Sequence, residues 1–208
     1  MVHVNEKLLN QPTTRTDSPL GRMLTVIECP NTHLQFLILD CPTESTLGFY
    51  LHEFLQISVH SVVRCCQPTY QAQRLTEHGI QVVDLPFKDG GLPPANVIRD
   101  WLQLVETVKE LPLDEKNNKR PVIAVHCVAG LGRAPVLVAI ALIEMGMKPL
   151  DAVEFIRSKR RGAFNKPQIM YLDSYKRQLK PKSSTSNYSL FGRMFKLGSS
   201  KSNKANEQ

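Results

Sequence analysis

The stretch from Pro121 to Met145 narrows the fold more than any other. Pro121 to His126 reads PVIAVH, a short apolar run dense in β-branched residues, the pattern of a strand covered on both faces. A loop with two glycines follows, and from Ala134 to Met145 the chain is almost continuously apolar over the length of a helix. A strand with two covered faces needs helices on both sides of its sheet. A chain built around one therefore folds in α and β layers.

The flanking sequence repeats this alternation. Met23–Cys29 and Leu34–Leu39 read as strands joined by a turn at Pro30-Asn31. Thr46 is placed to cap a helix with Leu47, Tyr50, Leu51, Phe54 and Leu55 on one face. Val59–Arg64 is a third strand, running into Cys65 and Cys66. Tyr70–His78 reads as a short helix stopped by Gly79, and Ile80–Leu85 as a fourth strand. After the loop Pro86–Pro93, Pro94 suits the first turn of a helix carrying Ile98, Trp101, Leu102, Val105 and Val108. Asp114–Arg120 is polar and reads as a loop. Further helices are expected at Leu150–Arg160 and Pro167–Leu179. The expectation is an α/β fold: a central, mostly parallel twisted sheet flanked by helices, occupying residues 23–180. Residues 1–22 read as a flexible leader and 181–208 as a disordered basic tail.

Composition removes several function classes. Hydrophobic residues are 42% and charged residues 22%, enough apolar material for a core. No run approaches the roughly 20 apolar residues of a membrane span, and the N-terminus lacks the apolar stretch of a secretory signal. The five cysteines are odd in number and include no C-x-x-C pair, so free thiols in a reducing cytosol are expected, with no metal or cofactor. The net charge of +7 divides into +4 on residues 181–208 and +3 elsewhere. This favours phosphate esters or an anionic membrane surface met by the tail; no nucleic-acid-binding motif is present.

The chemistry concentrates in Cys127, Val128, Ala129, Gly130, Leu131, Gly132 and Arg133. The loop joins a buried strand to a helix N-terminus, where unpaired N–H groups and the helix dipole attract anions. Gly130 and Gly132 let successive amides turn toward one oxyanion, and Arg133 adds a planar fork for two phosphate oxygens. The dipole and Arg133 favour an ionised sulfur at Cys127, a nucleophile aimed at phosphorus. His126 reads as a support for the loop. The plain alternative, a glycine turn beside an inert cysteine, does not account for the full set of residues. Asp89 in LPFKDGGLPP is a carboxyl group on a separate glycine- and proline-bearing loop, suited to protonate a leaving oxygen. Asp84, at a strand end, reads as structural.

The run HCVAGLGRAPVLVAIALIEMGMKPLDAVEFIRSKRRGAFN resembles the phosphatases of regenerating liver (PRL, the protein tyrosine phosphatase 4A group), and the resemblance covers about residues 23–180. It implies a dual-specificity-type phosphatase acting on phosphoprotein substrates. Cys127 would be the nucleophile, Asp89 the general acid and Arg133 the phosphate clamp. Ala134 stands where most such enzymes carry Ser or Thr, which implies slow hydrolysis of a phosphocysteine. Leu85 stands at a usual Trp position, and Lys88 where many relatives are acidic. Cys66 matches a cysteine that forms a disulfide with the nucleophile, with Cys65 a second candidate; Cys29 and Cys41 read as ordinary thiols. The family also implies docking to CNNM magnesium-transport mediators.

Arg157, Lys159, Arg160 and Arg161 read as a solvated basic face at a helix end. No cysteine follows Cys127, so prenylation at this terminus is not expected. Leu190, Phe191, Met194 and Phe195, near Arg193 and Lys196, allow a short interfacial helix. Cytoplasmic residence is expected, extending to the nucleus or the membrane periphery.

Overall fold

The computed structural model describes residues 24–30, 32–112 and 119–179. The expected leader, the tail with its interfacial helix and most of the Asp114–Arg120 loop lie outside them. Five strands form one sheet: β1 Thr25–Glu28, β2 Gln35–Leu39, β3 Val59–Arg64, β4 Gln81–Asp84 and β5 Val122–His126. Their spatial order is β1-β2-β5-β3-β4. Only the β1–β2 pair is antiparallel; β2–β5, β5–β3 and β3–β4 are parallel. The β5 strand is central and buried along its length, as its unbroken apolar run requires.

Six helices complete the described chain: α1 Leu47–Gln56, α2 Gln73–Thr76, α3 Ala95–Lys109, α4 Arg133–Glu144, α5 Pro149–Lys159 and α6 Lys166–Ser174. Every residue of α4 is buried, which explains an apolar helix with no polar stripe. On one sheet face, Leu37, Leu39, Val62 and Ala124 pack with Leu47, Tyr50 and Phe54 of α1. Elsewhere Trp101 of α3 lies 5.5 Å from Phe36, ring to ring, and donates its indole N–H to the Leu137 carbonyl of α4 at 2.7 Å. Among the described residues no helix is long and apolar enough to cross a membrane.

Four local expectations change, the first being the helix expected over Tyr70–His78, which is only the four-residue α2. The Thr46 side chain does not cap α1; its Oγ1 accepts from Thr43 N–H at 2.9 Å, stabilising the preceding turn. Leu55 falls outside the buried stripe and is exposed. The helix expected to reach Leu179 ends at Ser174, because Tyr175 turns to extended backbone and donates to the Glu144 carboxylate at 2.7 Å. Buried Glu144 also accepts from Gln178 N–H at 2.7 Å, so this polar cluster outweighs helix continuation.

Candidate active site

The carboxyl ends of β2, β3, β4 and β5 point to one edge of the sheet, where open α/β folds place their sites. Cys127 follows β5 directly and is buried, and the loop from Val128 to Gly132 leads into α4. Four loop carbonyls face outward. Val128 O accepts from Cys41 N–H at 2.9 Å and Leu131 O from Phe164 N–H at 2.7 Å. Ala129 O and Gly130 O accept from the Arg160 guanidinium at 3.1 and 2.6 Å. In a planar trans peptide the next N–H points opposite to the carbonyl. The amides of Ala129, Gly130, Leu131 and Gly132 therefore face the other way, opposite to Cys41, Phe164 and Arg160. Among the described residues none of these four amides has a protein acceptor.

Gly130 is required by this curl. Its φ is +64°, and a Cβ there would lie 2.4 Å from Leu39 O and 2.5 Å from an Arg160 nitrogen. Arg160 is thus a clamp rather than part of a solvated face; it also donates to Thr25 Oγ1 at 3.0 Å. Arg157, Lys159 and Arg161 are exposed, as expected.

Arg133 opens α4 and is 6% exposed. Its Nη1 donates to Cys65 O at 3.1 Å and Phe87 O at 3.2 Å, and its Nη2 pairs with Asp89 Oδ1 at 3.1 Å. Its Nε–H is buried without a partner, an exception among buried donors that marks a place for an incoming acceptor. The Asp89 side chain is 79% exposed and also accepts from Gly90 N–H at 3.1 Å. Its loop is tied to α6. Asn165 Nδ2 donates to Gly90 O at 3.0 Å and Gln168 Nε2 to Gly91 O at 3.1 Å. Those two side chains also form a reciprocal capping box on α6. The spacing Asn165-x-x-Gln168 around Pro167 was the sequence signal for this anchor.

Behind the loop, His126 is fully buried. Its Nε2 lies 2.9 Å from the Tyr70 hydroxyl and its Nδ1 3.4 Å from Cys127 O. Burial pushes the imidazole down to about 4. Tyr70 is held by Arg64, which donates to Tyr70 O at 2.8 Å and stacks 5.0 Å from the ring. Arg64 in turn grips both Asp84 oxygens, at 2.6 and 2.8 Å, so Asp84 is structural. Ala134 is fully buried in the first turn of α4, Leu85 is buried after β4 and Lys88 is exposed.

All the described cysteines are free thiols. Burial pushes Cys29 up to about 12 and Cys65 well above the ordinary thiol range. Cys66 is pushed up to about 12 by burial and by neighbouring Cys41. The Cys66 sulfur lies 3.7 Å from that of Cys41 and 4.0 Å from His126 Nδ1. Cys41, expected to be an ordinary thiol, is therefore part of the cluster beneath the loop.

Residues 35–175 match the family described as protein-tyrosine phosphatase. Human protein tyrosine phosphatase type IVA 3 is 48% identical over 152 residues, covering 72% of this chain and 83% of the human one. Mouse protein tyrosine phosphatase type IVA 2 is 46% identical over 156 residues, covering 74% and 89%. A solved protein tyrosine phosphatase from Leishmania major superposes with a TM-score of 0.67 at 42% identity, covering 74% of this chain and 99% of that one. Kinase associated phosphatase shares the fold, with a TM-score of 0.52 at 20% identity over 72% of this chain and 90% of its own. With this level of identity across nearly the whole described region, the chain belongs to the protein tyrosine phosphatase type IVA, or PRL, family.

Proposed function

We propose that the chain hydrolyses phosphotyrosine and other phosphoprotein esters through a phosphocysteine on Cys127. The observation that carries this reading is the hydrogen bonding of the loop after Cys127. Four carbonyls are anchored by protein donors, the amides on their far sides have no protein acceptor among the described residues, and a buried Arg133 Nε–H has none either. A dianionic phosphoryl group supplies acceptors for all of them.

In this reaction the Cys127 sulfur attacks phosphorus, and an S–P bond forms as the P–O bond breaks. Asp89 gives its proton to the leaving oxygen, and the amides and Arg133 hold the three equatorial oxygens. Water then attacks the phosphocysteine with Asp89 as base, returning the thiolate and inorganic phosphate. Ala134 offers no hydroxyl to the departing sulfur, which makes this second step slow. The rim residues Val128 and Leu131, 60% and 38% exposed, present apolar surface without a cation. Such a rim suits a phosphoprotein better than a polyphosphoinositide.

Asp89→Asn is expected to lower kcat/KM for phosphotyrosine peptides about 100-fold, within the usual range for general acids. The loss should shrink for aryl phosphates whose leaving group needs no proton. Equal losses across a series of leaving-group acidities would remove Asp89 from this role. The same variant bears on a second reading, docking of an acidic loop such as that of CNNM mediators. A carboxylate is also an oxyanion, and the apolar rim offers it flanking contacts. Asp89→Ala should spare capture of such a loop while slowing turnover, and Arg133→Ala should weaken both.

Cys66 is the resolving thiol in this account. Peroxide oxidises the Cys127 thiolate to a sulfenic acid, and the Cys66 thiol displaces water from it to form a disulfide. Peptide mapping after mild peroxide should give a Cys66–Cys127 link; a Cys65–Cys127 link would reassign the role.

A further inference from the structure

Three side chains meet behind the phosphate loop, delivered by three different strands. Cys41 follows β2, Cys66 follows β3, and His126 closes β5 between them. Their ligand atoms, two sulfurs and a ring nitrogen, all lie within 4.8 Å of one another. Among the described residues this is the only group of three such side chains so arranged. The sulfurs are 3.7 Å apart, and His126 Nδ1 lies 4.0 Å from Cys66 Sγ.

The sulfur–sulfur separation matches a tetrahedral ion, and the ring nitrogen would close on the sulfurs by about 0.5 Å or more on binding. Bonds of about 2.3 Å to sulfur and 2.0 Å to nitrogen place two sulfurs about 3.8 Å apart and sulfur and nitrogen about 3.5 Å apart. A disulfide fits less well, because β5 lies between the strands that deliver the two cysteines. Two strand spacings are about 9.5 Å, whereas a disulfide asks for Cα atoms within about 7 Å. The imidazole is already oriented. Its Nε2 is held at 2.9 Å by the Tyr70 hydroxyl, which leaves Nδ1 turned to the sulfurs. Metal-binding histidines are ordinarily steadied through the second nitrogen in this way. Cys41 is only half-buried and gives an entry path, and Thr69 Oγ1 lies 3.1 Å from its sulfur.

We propose that Cys41, Cys66 and His126 form a zinc site at the base of the phosphate loop. The two-sulfur, one-nitrogen donor set suits this borderline-soft ion and disfavours magnesium or calcium. On binding, the two thiols lose their protons to solvent and two Zn–S bonds form. Nδ1 gives its lone pair to the metal, while Nε2 keeps its proton and donates it to the Tyr70 hydroxyl oxygen. The bound ion holds Cys66 away from Cys127. It also takes up Nδ1, the ring atom 3.4 Å from Cys127 O, so metal occupancy would govern both the redox pairing and the footing of the loop.

The test uses the full chain, reduced and free of oxygen, titrated with Co2+ and then Zn2+. Wild type and Cys127→Ser should each bind one Co2+ per chain, with a thiolate-to-metal charge-transfer band that Zn2+ abolishes. Cys41→Ser and Cys66→Ser should bind at least about 10-fold more weakly, since loss of even an outer-shell partner of a metal ligand costs that much. Loss of the band in Cys127→Ser, its persistence in Cys41→Ser, or no thiolate band in wild type would overturn the proposal. Should Cys66→Ser fold poorly, Cys41→Ser decides, since its thiol is half-exposed. The Cys127→Ser arm needs no turnover, so failure here is separate from failure of the phosphatase mechanism.

Discussion

Arg133→Ala is expected to lower kcat/KM for aryl phosphates about 1,000-fold, in the range found for removal of a transition-state oxyanion donor. Three functions are lost together. The positive charge over the phosphoryl oxygens goes, and so does the buried Nε–H that lacks a protein acceptor. The tie at 3.1 Å to Asp89 on the acid loop goes as well. Arg133→Lys restores charge without the planar fork and should recover only part of the loss. Because the oxyanion is held more tightly as charge develops, kcat should fall along with the affinity for vanadate. A loss below about 10-fold in Arg133→Ala would place the reacting phosphate elsewhere, since a single oxyanion donor is ordinarily worth more.

Gly130→Ala is expected to cost about 3 kcal/mol of folding stability, combining left-handed strain with overpacking. The new Cβ would meet the Leu39 carbonyl at 2.4 Å, and that carbonyl belongs to a central-sheet strand that cannot yield. It would also press on Arg160, which holds the Ala129 and Gly130 carbonyls outward. Gly132→Ala serves as the comparison. Its φ is −115°, and a Cβ there would meet the flexible Gln168 amide at 3.4 Å, so a smaller loss is expected. Urea unfolding of both variants checks this; equal shifts in midpoint would mean that the left-handed turn at Gly130 is not what holds the loop.

The sheet was legible because its central strand leaves no ambiguity: the four residues of β5 before His126, Val122 to Val125, are all apolar, and nothing interrupts them. The candidate site stood out for the same kind of reason, since Cys127, both glycines and Arg133 fall in one unbroken segment. What escaped detection comes from distant segments. Arg160 looked like one more cation in a basic run, and only the folded chain places its guanidinium against two loop carbonyls. Cys41 looked ordinary because its neighbours, Cys66 and His126, are 25 and 85 positions away, brought together by the strand order β2-β5-β3. Helix ends were misjudged where buried polar groups intervene, as Tyr175 and Glu144 do at the end of α6.

The most direct test of the mechanism is intact-mass and peptide mass spectrometry after brief exposure of the full chain to an aryl phosphate. The account predicts one added phosphoryl group, mapped to Cys127, absent in Cys127→Ser, and decaying more slowly in the wild type than in Ala134→Ser. Turnover with no phosphoryl group on Cys127 in either protein, or a phosphoryl group mapped to another residue, would contradict it.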